Sequence, residues 1–225
     1  LGGKAAEPIF RAQGLDEGLG TFGSLYAASI GAQDVVIFAT EVEGFQLAAD
    51  ANEEAAKAIG LNVLERINAP ADQASYRADA EKIANLDPDA VLVQAGSTES
   101  ATLIKAAAEA GLSLNWIGET GWAEAEFIGS LGPDPIATQK GIGFTTFAPN
   151  KGTAAWESFQ PLWDGQTACT DGVAECPPYD ASNQYAFSTY DLMVQTALAV
   201  EAAGSYKASE WAPAMHEVGE GGEVC

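Results

Sequence analysis

"DPDAVLVQAGSTESATLIKAAAEAGL", residues 87–112, decides the fold. Its "DAVLVQ" (89–94) is a short apolar run bounded by polar residues, which predicts a buried strand. Small polar residues follow. Then an alanine-rich segment over 99–111 closes on Gly111 and predicts a helix. A strand that passes straight into a helix is the repeating unit of a parallel sheet, because the chain must cross back over the sheet to begin the next strand.

The unit recurs on both sides. "QDVVIFA" (33–39) predicts a buried strand, and "GFQLAADANEEAAKAIG" (44–60) a helix with Leu47, Ala51, Ala55, Ala58 and Ile59 as apolar positions and Gly60 as its stop. "NVLERIN" (62–68) predicts a second strand. "DQASYRADAEKIANL" (72–86) predicts a helix with Tyr76, Ala80, Ile83 and Leu86 on one stripe. After residue 112 come "LNWIG" (114–118) as a strand, "AEAEFIGSLG" (123–132) as a short helix and "KGIGFTTF" (140–147) as a fifth strand. This alternation implies a doubly wound parallel sheet with helices on both faces and right-handed crossovers. From Pro149 the pattern changes to helices alone, over 150–163, 183–204 and near 208–218. Such helices need a sheet to bury their apolar faces, and the sequence after residue 147 supplies none.

Composition narrows the function. Ten Lys and Arg stand against 32 Asp and Glu, a net charge of −22, which repels nucleic acid and anionic membranes. Nucleic acid is therefore not an expected partner. The charge reads as a solubility device or an adaptation to a salty medium, with recruitment of a cationic partner as the alternative. No apolar run reaches the roughly 18 residues of a membrane span. The opening "LGGKAAEPIF" lacks a cationic region followed by an apolar block and is not a signal peptide, although a mature or trimmed exported chain would look the same. Cys169 and Cys176 flank "TDGVAE". A disulfide between them would close a short loop worth about 2–3 kcal/mol and would place the chain in an oxidising compartment. Cys225 is left as a free thiol or as half of another pair.

Recognisable catalytic chemistry is missing. No G-x-G-x-x-G follows the first strand, no Gly-Lys-Ser/Thr marks a phosphate loop, and no G-x-S-x-G marks a nucleophile elbow. The single histidine, His216, sits in the last helix and reads as a surface or packing residue; with one histidine and no cysteine cluster, no metal site or cofactor is expected. What remains are the turns at the strand C-termini, where open parallel sheets bind ligands. They offer Glu43-Gly44-Phe45, then Ser97 and Thr98, then Glu119 and Trp122. Each also has a plain reading. Ser97 and Thr98 could be N-caps, Glu119 a solvated loop acid, and Trp122 packing.

Several stretches, taken in order, resemble the type I periplasmic binding proteins of ABC importers, in particular the branched-chain amino acid (Leu/Ile/Val) binding group. These are "PIFRAQGLDEGLGTFGSLYAA", "DVVIFATEVEGFQLAADANEEAAKAIGLNVL", "SYRADAEKIANLDPDAVLVQAG", "AAAEAGLSLNWIGETGW", "KGIGFTTFAP" and "YDASNQYAFSTYDLMVQTALAVEAAGS". The resemblance implies two α/β lobes that close on a ligand by a hinge. It also implies a partial chain: residues 1–22 as the crossover from the first lobe, 23–146 as the complete second lobe, and 147–225 as returning helices of an incomplete first lobe. By the same resemblance, Glu119 stands where a family acid binds the ligand ammonium. Ser97 and Thr98 stand where the branched-chain binders have aromatics, and Gly44-Phe45 where they have a tyrosine-glycine pair. Tyr179, in "PPYDAS", lies near the returning segment's approach to the ligand. The implied function is extracytoplasmic binding of a small polar ligand, an amino acid or related compound other than simply leucine, for delivery to a membrane permease. The implied protein is a monomer, periplasmic or extracellular, with a lipid anchor compatible. A ligand-sensing domain of a receptor or regulator is the alternative.

Overall fold

A computed structural model describes residues 10, 14–164 and 181–219. The chain divides into two compact units, Leu15–Thr146 and a second made of Leu1–Gly14 with Phe147–Cys225.

The first unit is the expected α/β sheet. Its strands are β1 (Asp34–Thr40), β2 (Asn62–Ala69), β3 (Ala90–Gln94), β4 (Asn115–Gly118) and β5 (Gly141–Phe144). All four pairings are parallel and the order is β2-β1-β3-β4-β5. The central β1 and β3 are buried along almost their whole length, which is why they read as continuous apolar runs instead of alternating ones. Side chains still alternate between faces. Val36, Phe38, Val91, Val93 and Trp116 enter one core with Tyr76, Ile83 and Leu103; Val35, Ile37, Leu92 and Ile117 enter the other with Ala49 and Ala56.

The helices are α1 (Asp16–Ser29), α2 (Glu43–Ile59), α3 (Arg77–Leu86), α4 (Ser97–Glu109), α5 (Ala125–Leu131) and α6 (Pro133–Thr138), with a 3₁₀ turn over Thr120–Ala123. As expected, α2 stops at Gly60, whose φ of +86° is left-handed and whose N–H returns to the helix carbonyls. Several boundaries differ from expectation, three of them with a clear physical cause. First, α3 starts at Arg77, not near residue 72, because Tyr76 leaves the helix path to bury its ring edge-on against Phe38 (5.5 Å) and its hydroxyl donates to the Pro70 carbonyl (3.0 Å). Second, α6 is an added helix, begun by Pro133 after Gly132. Third, α1 begins inside the segment expected as a crossover. It lies against α2 through small residues: a Cβ on Gly20 would stand 2.9 Å from the Ala48 carbonyl carbon and closer still to its oxygen. Beside it, buried Ser24 donates to the Asn52 backbone carbonyl (2.8 Å) and side-chain Oδ1 (3.1 Å).

The second unit contains α7 (Ala154–Asp164), α8 (Gln184–Ala203), α9 (Ala208–Trp211) and α10 (Ala214–Gly219). Trp156 and Phe159 of α7 pack with Ala186 and Tyr190 of α8, and Met215 of α10 packs with Ala199. Among the described residues of this unit there is no strand, and Leu162, Met193 and Leu198 are exposed. His216 is exposed, with its ring edge-on to Phe10 at 5.8 Å.

Candidate functional site

The strand order fixes where a ligand crevice belongs. After β1 the chain steps outward to β2, then returns across β1 to β3 and continues the other way. At that reversal the connections leaving β1 and β3 run to opposite faces, and a gap opens at the strands' C-terminal edge. A pocket of about 200 Å³ lies there. Val42, Gly44, Phe45 and Ala48 come from the loop after β1 and from α2; Asp16 and Leu19 come from α1; Gln94 ends β3 and Glu119 follows β4.

Glu119 is half-buried, and its Oε2 accepts the Gly121 N–H (3.0 Å). Burial pushes its carboxyl above the usual carboxylate range, opposed by the Gly121 N–H and reinforced by the negative charges of Glu124 and Asp16. An ammonium arriving here would offset the cost of that buried charge. None of the described residues lining the pocket is cationic. Among the described residues, no cluster of three or more His, Cys, Asp or Glu is arranged to hold a metal ion.

The structure brings three of the expected site residues, Gly44, Phe45 and Glu119, to this pocket. Ser97, Thr98 and Trp122 have other surroundings. Helix α4 takes Gly96 as its N-cap, so neither hydroxyl caps it. Instead Ser97 Oγ donates to the Gly121 carbonyl and Thr98 Oγ1 to the Glu126 carboxylate, both at 3.3 Å. Ser97 thus ties α4 to the turn that carries Glu119. Trp122 is 2% exposed and lies in the opposite core, stacked on Phe127 at 4.6 Å, with Gly118 beneath the ring. Tyr179 and the cysteines at 169, 176 and 225 lie outside the described residues.

Asp16, Leu19, Val42, Ala48 and Gln94 also line the pocket and are not among the site residues expected from sequence. Gln94 had a usable signal: it is the one polar residue in the apolar run of β3, and it stands at the ligand-binding end. Asp16 and Leu19 had none while α1 went unrecognised, because glycines weaken the helix pattern there.

Residues 3–220 match the family of periplasmic binding proteins, and the chain belongs to that family. It is the family that the ordered stretches of sequence resemble. No curated protein matches the chain. The chain is similar to a leucine-binding protein of Thermotoga maritima, at 20% identity and a TM-score of 0.73, over 91% of this chain and 55% of that one. It is also similar to a solute-binding protein of an ABC transporter from Rhodopseudomonas palustris, in complex with benzoate, at 18% identity and a TM-score of 0.69, over 92% of this chain and 54% of that one. A second R. palustris solute-binding protein, in complex with 3,4-dihydroxybenzoic acid, gives 17% identity and a TM-score of 0.65 over 92% and 54%. These likenesses show a shared fold. The chain spans about half the length of the solved structures it matches. Among the described residues, no helix is long and apolar enough to cross a membrane.

Proposed function

We propose that the protein is the solute-binding component of an ABC importer, working outside the cytoplasm. Its pocket takes the ammonium end of a small polar ligand, an amino acid or related compound, and the bound form is presented to a membrane permease. The observation that carries this reading is the half-buried Glu119 in a pocket with no cation among its described lining residues, at the sheet's reversal point. Asp16 adds a second carboxylate to the lining, while Leu19, Val42 and Phe45 supply apolar contact for the rest of the ligand. Ser97 steadies the Glu119 turn, and Thr98 ties α4 to α5 through Glu126. Tyr179 is proposed as a further ligand contact. The protein acts by binding and carries out no reaction on its ligand.

Aromatic carboxylates such as those held by two of the similar structures are disfavoured. Their negative charge would meet Glu119 and Asp16 in a protein whose net charge is already −22. Titration calorimetry of the full-length protein against amino acids, amino-acid amides and aromatic acids tests the reading. An ammonium-bearing compound is expected to bind with a Kd of about 1 μM, some −8 kcal/mol, and Glu119→Gln to weaken it at least tenfold. If no ammonium-bearing compound binds while an aromatic acid does, the ligand class is wrong.

A further inference from the structure

Gln94 is the unusual member of the pocket wall. Alternation along β3 turns Leu92 toward the α1–α2 face and Val91, Val93 and Ala95 toward the other, so Gln94 continues the Leu92 row into the pocket. It is 2% exposed, and its side-chain amide makes no hydrogen bond with any described residue while keeping a small contact with solvent. Buried amides are nearly always paired, with protein or with water, so this one is left to whatever fills the pocket. Leu19, Val42, Phe45 and Ala48 around it are apolar, and the rest of the polar lining is the carboxylates of Asp16 and Glu119. A leucine would fill the same place without calling for any polar partner. The amide therefore makes physical sense if its partner arrives with the ligand.

We propose that Gln94 reads a carboxamide on the ligand, so that this protein takes ammonium-bearing amides of the asparagine and glutamine kind in preference to hydrocarbon amino acids. This rests on the ammonium reading of the same pocket. A primary amide presents one acceptor oxygen and two N–H donors. A ligand carboxamide facing Gln94 antiparallel satisfies a donor and an acceptor on each partner in one planar pair. A hydrocarbon side chain leaves Gln94 unpaired, and a side-chain carboxylate brings like charge toward Glu119.

The test is titration calorimetry of the full-length protein with glutamine, asparagine and leucine, on wild type and Gln94→Leu, beside thermal unfolding of both proteins without ligand. Wild type is expected to bind one of the two amides at least tenfold tighter than leucine. Gln94→Leu is expected to lose at least tenfold in amide affinity, to reverse the preference, and to unfold at the same or a higher temperature. Equal or tighter leucine binding by wild type, an unchanged preference in the variant, or a lower unfolding temperature for the ligand-free variant overturns the proposal. The last result would mean that Gln94 serves the fold. Binding of ammonium compounds without an amide preference refutes this inference alone; no binding of any of them refutes the ammonium reading as well.

Discussion

Gly20→Ala and Gly129→Ala are the same chemical change in two helices, and the structure predicts opposite outcomes. Each replacement removes the conformational penalty of a helical glycine, a gain of about 0.5–1 kcal/mol. At Gly129 a new Cβ meets nothing within 4 Å, so the gain stands. At Gly20 the Cβ would lie 2.9 Å from the Ala48 carbonyl carbon, nearer still to its oxygen, and 3.1 Å from the Asn52 nitrogen. These are backbone atoms of α2, so no side-chain rotation relieves the clash and α1 must lift away. Overpacking of this kind costs about 1–3 kcal/mol, and a rigid partner puts it toward the upper end. The lift would also weaken the Ser24–Asn52 hydrogen bonds, worth about 1 kcal/mol each. The net is a loss of about 1–2 kcal/mol for Gly20→Ala, or roughly 3–6 °C in Tm, against a rise of about 2 °C for Gly129→Ala. Thermal unfolding reads both, and hydrogen exchange of the β1 amides reports the sheet unit directly. If Gly20→Ala proves as stable as Gly129→Ala, the close α1–α2 packing described here is wrong. Because α1 carries Asp16 and Leu19 while α2 carries Gly44 and Phe45, the lifted helix should also weaken ligand binding.

Three further outcomes are expected. Glu119 holds its proton more tightly folded than unfolded, so between its unfolded value near pH 4.3 and its raised folded value the native state binds more protons and this group's contribution to stability falls as pH rises. Urea midpoints of wild type and Glu119→Gln across about pH 4–7 should therefore show the variant gaining on wild type as pH increases; a pH-independent difference would contradict the burial of this carboxyl. Asp89 is the reverse case. Its Oδ2 accepts the Gln33 and Asp34 N–H groups (2.8 and 3.0 Å), and these, Asp34 first, hold its carboxyl below the ordinary range. Asp89→Ala should cost about 1 kcal/mol at neutral pH, with the loss shrinking as pH falls through that lowered value; urea titrations at neutral and acid pH measure it. Gln139 joins the β4 edge: its Oε1 accepts Trp116 Nε1–H (2.8 Å) and Leu114 N–H (3.1 Å), and its Nε2 donates to the Leu112 carbonyl (3.0 Å). Gln139→Leu strands the indole N–H of fully buried Trp116 and should cost about 1–3 kcal/mol in denaturant unfolding; a loss under half of that would show the bond to be dispensable.

The alternation of strand and helix was legible because short continuous apolar runs alternate with longer helical stripes closed by glycines. "DVVIFAT" and "AVLVQ" are buried throughout, and no other local structure accommodates such runs so well between turn residues. Helix starts were less legible. Tyr76 fits a helical stripe on paper, but its ring and hydroxyl find better partners in Phe38 and Pro70. Helix α1 has glycines where propensity asks for alanine, and it forms because those glycines let it touch the α2 backbone, a gain invisible to any local window.

The candidate site divides along the same line. The sequence by itself put Gly44, Phe45 and Glu119 at the strand exits, because a parallel βα unit always presents those turns at one edge. Which turns face the same space was settled by the tertiary structure. Strand alternation sends Gln94 and Glu119 to the α1–α2 side, while Trp122 goes to the opposite core under Phe127. Asp16 and Gln94 share one pocket because the order β2-β1-β3 opens a gap between neighbours in space that are far apart in the chain. A side chain's face and its distant neighbours are properties of packing, and no single stretch of sequence contains them.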